Sequence, residues 1–527
     1  MTAPLAKTYL IGGGIASMAA AAFLIRDAGV AGHDITILEE RGVMGGSLDG
    51  AGSPETGYSL RGGRMFESKY LCTFALFDSI PTLDGQQTVT QEILQWNRTM
   101  PTSSHSRLFR HGQRQTAPKF GLSERHILAI ERLVLEPEPL LGHTSISDQF
   151  SADFFTTDFW FMWCTTFAFQ PWHSAVEFKR YLTRFAHMVA GFDRLEGIMR
   201  TVFNQYDSLV RPLQKWLHDH GVNVVLNARV TALQFGARNG AVTVEGITFS
   251  KGSGEITMPV GYDDFVMVTL GSMTDASSLG GMDKAPALLG NGEGSAWALW
   301  EKLAAGRPAF GRPAAFSGHI DESKWVSFTT TMHDPALLRL VHEKTGDAPG
   351  AGGLITFPDS NWLASIVIPF QPHFISQPRD VSVLWGYGLA VDKPGNFVGK
   401  PMSACTGREI MTEILGHLGI ANEAAEILSS CTCIPCMMPF ITSQFLPREA
   451  GDRPAVVPAG THHLAFLGQF CEIPEDVVFT VEYSIRSAQE AVYALHDLPR
   501  KPPAVYHGAF DPRVLYKAFL ALHDIAL

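Results

Sequence analysis

Three small residues near the start of the chain stand at the spacing of a dinucleotide-binding loop. Gly12, Gly14 and Ser17 fit the pattern G-x-G-x-x-S, in which serine replaces the usual final glycine or alanine. The first glycine allows a tight turn, the second lets the backbone approach a pyrophosphate, and the small third residue permits close helix–strand packing. Glu39 follows 22 residues after Ser17, where a carboxylate accepts hydrogen bonds from ribose hydroxyls and would repel a 2′-phosphate. The spacing therefore predicts a dinucleotide site.

The elements around this loop fall in the order that such a site requires. We predict a buried strand over residues 8–11, an alanine-rich helix over 18–27 and a second strand over 34–38. The amino terminus of the helix would hold the pyrophosphate, because its unpaired N–H groups and its dipole favour anions. A glycine-rich turn without a ligand would not explain where Glu39 stands.

The stretch that begins at Glu39 favours FAD over NAD as the dinucleotide. Residues 39–47 read EERGVMGGS, which resembles the E-x-R-x-x-x-G-G stretch of FAD enzymes of the glutathione-reductase type. By this resemblance Gly45, Gly46 and Ser47 are expected to contact the cofactor.

Later segments are predicted to complete the same domain. We predict strands over 225–233, over 265–272 and from about 464, and then a helix over 482–495 that returns to close on the flavin. Three residues of these segments, Val230, Gly271 and Gln469, are expected to contact FAD. The fold class expected is α/β, with an FAD-binding Rossmann-like domain, an inserted substrate domain and a short helical C-terminus.

A chain of 527 residues is too long for one hydrophobic core, so several domains are expected. We predict a discontinuous FAD-binding domain from residues 1–60, 191–290 and 435–498, and a substrate or lid domain from 61–190 and 291–434. Residues 499–527 would form a short helical segment. In it Asp511 and Pro512 suit the cap and first position of an amphipathic helix over 511–527, docked on the body of the protein.

Charge and cysteine content exclude several classes of partner. The net charge is −11 and the chain has no basic block, so nucleic acid is not an expected partner. Seven cysteines, an odd number, suit reduced thiols in the cytoplasm. Cys431, Cys433 and Cys436 cluster without a histidine or a fourth cysteine at ligand spacing, so we expect no metal site. No apolar run approaches the ~20 residues needed to cross a bilayer, and Lys7 leads directly into a strand rather than a signal peptide.

Six longer motifs lie in order along the chain. They are GGSLDG at 45–50, RGGR at 61–64, FAFQPWHSAVE at 167–177, NQYDS at 204–208, WGYG at 385–388 and MPFITS at 438–443. Together they resemble the oleate hydratases, once called myosin-cross-reactive antigens, from about residue 7 to 497. The resemblance implies hydration of the cis-9 double bond of unsaturated fatty acids, so that oleate and water give 10-hydroxystearate. It implies a requirement for FAD without net redox, with the reduced flavin the more active form, and cofactor contacts from Arg61, Gly62 and Gly63.

Hydration of an isolated alkene needs a positioned acid and a positioned base in a channel that excludes water. The resemblance implies that Tyr181 donates the proton to the double bond. The family usually reads R-G-G-R-E-M, with the glutamate activating water, but this chain has Met65 at that position. A thioether cannot accept a proton from water. Glu67 is a possible substitute; another carboxylate, the flavin itself or backbone groups could hold the water instead.

Recognition of the fatty-acid carboxylate is expected to be partly altered. By resemblance, Gln205 of the N-Q-Y motif and His373 would bind the head group. The family pattern T-x-N-x-x-x-H has Val367 in place of threonine and Pro369 in place of asparagine. The loss of two hydrogen-bonding side chains should weaken or relax head-group binding. The aromatic residues between 153 and 169 would be either ordinary core or the lining of a fatty-acid tunnel.

Two other functions stay open. A flavin oxidoreductase of the amine-oxidase or desaturase type would change its flavin spectrum on meeting substrate. A catalytically inactive, flavin-gated fatty-acid carrier would bind oleate unchanged. Family members often carry an N-terminal extension and a longer C-terminal region; from their absence we expect a monomer with at most peripheral membrane contact.

Overall fold

The computed structural model describes residues 6–116, 118–292 and 296–525. Parts of the predicted segments lie outside the described residues: 1–5 of the first FAD segment, 117 and 293–295 of the substrate domain, and 526–527 of the C-terminal helix.

A five-stranded parallel sheet carries the glycine loop. Its strands, in spatial order, are Leu464–Leu467, Phe265–Thr269, Thr8–Ile11, Ile35–Leu38 and Asn223–Val225. The central strand Thr8–Ile11 is buried at every position, as expected for a parallel sheet covered on both faces. All five strands come from the three segments predicted to form the FAD-binding domain, whose boundaries stay a prediction.

The helix after the glycine loop runs over Ile15–Ala28, three residues earlier than the predicted start. It is rich in alanine because it lies in close contact with the sheet and with the later helix Val481–Leu495. Alanine combines high helix propensity with the small volume that such packing requires. Gly29 ends it in the left-handed conformation, with φ +70°.

The prediction of a single strand over residues 225–233 is wrong, because the strand is interrupted at Asn227. This residue has φ +56°, and its N–H donates to the Arg41 carbonyl. The chain there leaves the parallel sheet and enters a separate antiparallel sheet of three strands. These are Ala228–Arg238, Ala241–Lys251 and Gly254–Pro259.

A six-stranded antiparallel sheet forms the other large layer. Its strands, in spatial order, are Ser278–Leu279, Cys431–Met438, Trp325–Met332, Ser382–Gly388, Ala364–Val367 and Leu354–Thr356. Three two-stranded ribbons complete the strands: Gly50–Ser53 with Gly57–Leu60, Phe66–Glu67 with Ile198–Met199, and Phe109–Arg110 with Gln113–Arg114. Cys431, Cys433 and Cys436 lie buried in one strand of the large sheet with free thiols.

The remaining α-helices surround these sheets. They are Leu71–Phe77, Val89–Thr99, Glu124–Leu135, Glu138–Leu141, Asp158–Phe167, Ala175–Arg184, Arg211–Asp219, Ala296–Ala304, Ala314–Ser317, Ile320–Ser323, Ala336–Thr345, Gly407–His417, Ala424–Ser429 and Pro512–Leu522. No helix within the described ranges has the length and apolar character needed to span a bilayer. Within the same ranges no three His, Cys, Asp or Glu side chains form a group that could hold a metal ion.

The C-terminal helix begins where it was predicted, with Asp511 as cap and Pro512 as first residue. The Asp511 carboxylate accepts a hydrogen bond from the Arg513 N–H at 2.9 Å. The helix packs against residues 186–194, although Ala518 is its one fully buried residue within the described part of the chain.

Candidate functional site

A cavity of about 340 Å³ is lined both by the glycine loop and by Tyr181. Most residues that the sequence pointed to lie in its wall. They are Gly12, Gly14, Glu39, Gly46, Ser47, Arg61, Gly62, Gly63, Met65, Glu67, Tyr181, Gln205, Val230, Gly271 and Gln469. The fold thus brings the predicted cofactor residues and the predicted catalytic residues to one place.

The glycine loop presents backbone rather than side chains to the cavity. Gly12 has φ +95°, which glycine adopts without strain. Gly14 begins the first helix without a capping side chain, so the first N–H groups of the helix face the cavity. Gly46 lies directly opposite: a Cβ there would stand 2.9 Å from the Gly14 Cα. Only glycine fits at this close approach.

Glu39 directly follows the strand Ile35–Leu38, and its carboxylate is buried beside the loop. It accepts hydrogen bonds from the Gly13 N–H at 2.5 Å and the Arg41 N–H at 2.8 Å. These contacts fix the carboxylate at the cavity wall, where it can accept hydrogen bonds from a ribose.

Two predicted cofactor residues, Ser17 and Gly45, lie outside the cavity lining and support the loop. The Ser17 hydroxyl is 3.0 Å from that of Thr269 on the neighbouring strand, in keeping with a packing role. Gly45 has φ +112° and donates its N–H to the Gly13 carbonyl at 2.9 Å. Their effect on a cofactor is therefore through the shape of the loop.

Two arginines of the RGGR motif border the cavity in different ways. Arg61 makes a bidentate pair with Asp49, with N–O distances of 2.7 to 2.9 Å. Arg64 donates to the carbonyls of Gly62 and Ser47, and burial lowers the pKa of its guanidinium to about 10. Gly63 lies against Trp385: a Cβ there would stand 2.7 Å from the indole ring. A side chain at position 63 would therefore displace the indole ring.

Tyr181 lies on the helix Ala175–Arg184 with its ring among phenylalanines. Its hydroxyl donates a hydrogen bond to the Val478 carbonyl at 2.6 Å. Burial, with Tyr70 and nearby acidic groups adding to it, raises the pKa of Tyr181 well above its ordinary value. The phenol therefore keeps its proton at neutral pH. A phenol with a raised pKa is a weak acid, so it can protonate an alkene only where neighbouring groups stabilise the charge that develops.

The strand Phe66–Glu67 carries the Glu67 carboxylate to the cavity wall, but that carboxylate is already paired. Its Oε1 lies 2.6 Å from an Arg184 nitrogen, and its Oε2 accepts from the Lys69 N–H at 2.7 Å. Oε2 also lies 3.3 Å from His187 Nε2. Burial acts to raise the pKa of Glu67, yet His187 and Arg184 outweigh it and lower the pKa below its usual range. Glu67 is thus a charged, weakly basic group at neutral pH.

A second cavity holds the predicted head-group residues Gln205 and His373. It shares part of its wall with the first cavity, including Met65, Gln205 and Trp385. Val367 and Pro369 line it as well. Burial lowers the pKa of His373 to about 4, so its imidazole is neutral at physiological pH.

The aromatic stretch between 153 and 169 is mostly core. Phe154, Phe159, Trp160 and Trp163 are buried against one another, and of the aromatic residues in this stretch Phe167 lines the larger cavity. The sequence pattern of these aromatic residues does not distinguish core residues from residues that line a cavity.

A model of the MCRA family matches residues 6–493. The chain belongs to the MCRA family.

Two relatives of this MCRA protein share nearly its full length. An oleate hydratase of Streptococcus pyogenes serotype M49 (strain NZ131) is 39% identical over 530 residues, which cover 98% of this chain and 90% of the relative. A linoleate hydratase of Lactiplantibacillus plantarum is 32% identical over 568 residues, which cover 98% of each chain.

Solved structures that share the fold include two oxidases. Cyclohexylamine oxidase from Brevibacterium oxydans IH-35A superposes with a TM-score of 0.54 at 13% identity, covering 94% of this chain and 99% of the oxidase. Putrescine oxidase bound to putrescine gives a TM-score of 0.52 at 13% identity, covering 93% and 98%. These likenesses confirm the expected fold class, an α/β protein with a Rossmann-like domain.

Sequence reasoning missed three residues of the MCRA cavities. Tyr70 and Trp385 line the larger cavity, and Arg200 lines the smaller one. Trp385 stands in the WGYG motif and Arg200 stands five residues before Gln205, so both lay close to motifs already singled out. Tyr70 carried no such signal.

Proposed function

We propose that this chain hydrates the cis-9 double bond of unsaturated fatty acids such as oleate, giving the 10-hydroxy acid with FAD bound and no net redox. The observation that carries the proposal is the pair of joined cavities. One is lined by the glycine loop and Tyr181, the other by Gln205 and His373, and they meet at Met65. An acyl chain held by its carboxylate in the smaller cavity would reach the larger one past this residue.

The residues present fit FAD. Gly14 and Gly46 leave room for a pyrophosphate at the helix amino terminus. The Glu39 carboxylate would accept hydrogen bonds from ribose hydroxyls. The Arg61, Gly62 and Gly63 backbone would lie beside the flavin ring. When bound, the flavin supplies a polar ring that can stabilise positive charge developing on the alkene, and it exchanges no electrons with the substrate overall.

Tyr181 is the proposed proton donor. Its phenol proton would pass to C9 while a water oxygen bonds to C10, so that the π bond is replaced by one C–H and one C–O bond. The attacking water releases a proton. A proton transferred through groups in contact with solvent then restores the neutral phenol. Phe167 and Phe185 pack on the Tyr181 ring at 5.0 and 5.3 Å between centroids, and they line the same cavity and exclude bulk water.

Glu67 is the proposed substitute for the missing glutamate, in a changed role. As an ionised group it can accept a hydrogen bond from the attacking water and stabilise the developing cation. Its lowered pKa means that it does not retain the proton. His187, which is half-buried and hydrogen-bonded to Glu67, offers the way out to solvent.

We propose that the protein is a monomer in the cytoplasm. All seven cysteines are free and buried, which suits a reducing compartment. Contact with lipid would be peripheral: Phe510, Tyr516 and Phe519, at the C-terminal helix, are exposed apolar side chains.

The test is incubation of the purified protein with FAD, a reductant and oleate in H₂18O, followed by mass spectrometry. A labelled 10-hydroxy acid is the expected product. Oleate that stays bound and unchanged would indicate a carrier, and an oxidised product with a changed flavin spectrum would indicate an oxidoreductase. A Tyr181→Phe protein is the matched control, since it removes one hydroxyl from the cavity.

A further inference from the structure

The smaller cavity contains polar groups whose hydrogen-bonding capacity is unused. Gln205 is 6% exposed, and neither its amide nitrogen nor its amide oxygen has a hydrogen-bond partner in the described part of the chain. Buried polar atoms are nearly always paired, because an unpaired one forfeits its hydration. Both Gln205 atoms are therefore placed for a ligand.

Arg200 is half-buried, lines the same cavity, and differs in its partners from Arg61 and Arg184. Arg61 is paired with Asp49, and Arg184 with Glu67. Among residues 6–116, 118–292 and 296–525, no carboxylate forms an ion pair with Arg200. Its guanidinium donates to two backbone carbonyls, at Gly350 (3.2 Å) and Gly352, and retains further N–H groups.

The Asp347 carboxylate acts on the Arg200 charge from beyond ion-pair distance, and Asp49, which lines the same cavity, is paired with Arg61. Burial lowers the pKa of Arg200 to about 10, so the group is still a cation at neutral pH. His373 is neutral there, because burial and the Arg200 charge lower its pKa to about 4. The other guanidinium of this wall, Arg64, stands where the two cavities meet and lies near Asp49.

The position of Arg200 matches the place where hydrogen-bonding side chains are missing. Val367 and Pro369 line this cavity and offer no polar side-chain atom. A carboxylate held here would have the Gln205 amide and the neutral His373 as its uncharged partners. A buried carboxylate needs a charged or multiply hydrogen-bonded partner to offset its lost hydration.

We propose that Arg200 is the cationic partner of the substrate carboxylate and selects ionised fatty acids over neutral lipids of the same chain length. The inference rests on the proposed function, whose substrate it narrows to free acids. The guanidinium would donate to the carboxylate together with the Gln205 amide. Esters, amides and alcohols would lack the charge that this site is built to hold.

The test compares Arg200→Gln with wild type on oleate and on oleyl alcohol. Loss of a charge-assisted hydrogen bond should raise KM for oleate roughly tenfold to a hundredfold. The value of kcat should change little, and kcat/KM for the alcohol should stay within about twofold of wild type. Arg200→Lys, which keeps the charge without the planar fork, should recover part of the loss.

Asn97→Ala is the matched structural control. Asn97 holds the backbone of Arg200 from the other side: its amide donates to the Arg200 carbonyl at 2.7 Å and accepts from the Arg200 N–H at 2.8 Å. If Arg200 only supported the loop at Gly350, its substitution would lower the turnover of the acid and of the alcohol together. We expect this result for Asn97→Ala. An Arg200→Gln protein with the same discrimination between acid and alcohol as wild type would overturn the proposal.

Binding of stearate, which has no double bond, separates this inference from the proposed function. Calorimetric titration should show stearate bound at least tenfold more weakly by Arg200→Gln and by Arg200→Lys to a smaller degree. Absence of hydration by wild type would refute the proposed function, while equal stearate affinity in wild type and Arg200→Gln would refute the role of Arg200. If Arg200→Gln does not fold, the role of Arg200 is tested by two other measurements. They are the stearate affinity of Arg200→Lys and the preference of wild type for stearate over stearyl alcohol.

Discussion

The pair formed by Glu67 and Arg184 allows its two roles, in stability and in catalysis, to be measured apart. Both side chains are about 2% exposed, and their closest N–O distance is 2.6 Å. Glu67→Gln leaves the Arg184 charge buried without its counter-ion. Removal of one partner from a buried pair costs about 3–5 kcal/mol of unfolding free energy.

A second substitution should restore that stability without restoring activity. Arg184→Met removes the buried cation and fills its volume with an apolar chain, so the double variant Glu67→Gln, Arg184→Met should recover most of the loss. Because the double variant still lacks the carboxylate, its hydration rate should stay roughly a hundredfold below wild type. Arg184→Met alone should raise the pKa of Glu67 and move the acid limb of the rate profile to higher pH.

Urea unfolding and initial rates of oleate hydration on the four proteins complete the cycle. Rates are compared at a temperature at which each protein is folded, as judged by circular dichroism. A double variant that is both stable and fully active would show that Glu67 only anchors Arg184. It would then remove Glu67 from the catalytic proposal.

Three further outcomes are expected. Tyr181→Phe should lower the hydration rate by about 10²–10⁴-fold. Loss of the hydrogen bond to the Val478 carbonyl should cost about 1–3 kcal/mol of unfolding free energy. A folded variant with wild-type rate would exclude the phenol as proton donor. Gly46→Ala should lose its flavin absorbance on purification, because the new Cβ would stand 2.9 Å from the Gly14 Cα. Gly29→Ala, at φ +70° with open space around it, should be destabilised yet retain flavin, so equal flavin loss in both would contradict the steric account. Burial acts to raise the pKa of Glu177, but neighbouring arginines lower it to about 2. Its contribution to stability is therefore present above pH 4.5 and is lost as the pH falls toward about 2, and this slope of unfolding free energy against pH should flatten in Glu177→Gln.

The local part of the cofactor site could be predicted because it is written in adjacent residues. Gly12, Gly14 and the run into the first helix act over a few residues, so their spacing alone indicates a strand, a turn and a helix. Family motifs extended this reasoning to Tyr181 and Gln205, which the fold does place in the two joined cavities.

Strand pairing was decided by long-range contacts. The stretch 225–233 looks like one strand, yet Asn227 takes a left-handed conformation and the next N–H, that of Ala228, donates to the Glu39 carbonyl. That hydrogen bond joins residues far apart in the chain, and no periodicity within the stretch reports it. Two sheets therefore divide what the sequence pattern presents as one element.

The sequence by itself determined the family, the dinucleotide loop and the exchange of a carboxylate for Met65, because each depends on residue identity at known spacing. Only the tertiary structure decided what the charged residues do. Glu67 is weakly basic because Arg184 and His187 reach it from another segment, and Arg200 stands without a carboxylate partner in the described chain beside a cavity. Burial and charge pairing set these properties, and both exist only after distant segments have packed together.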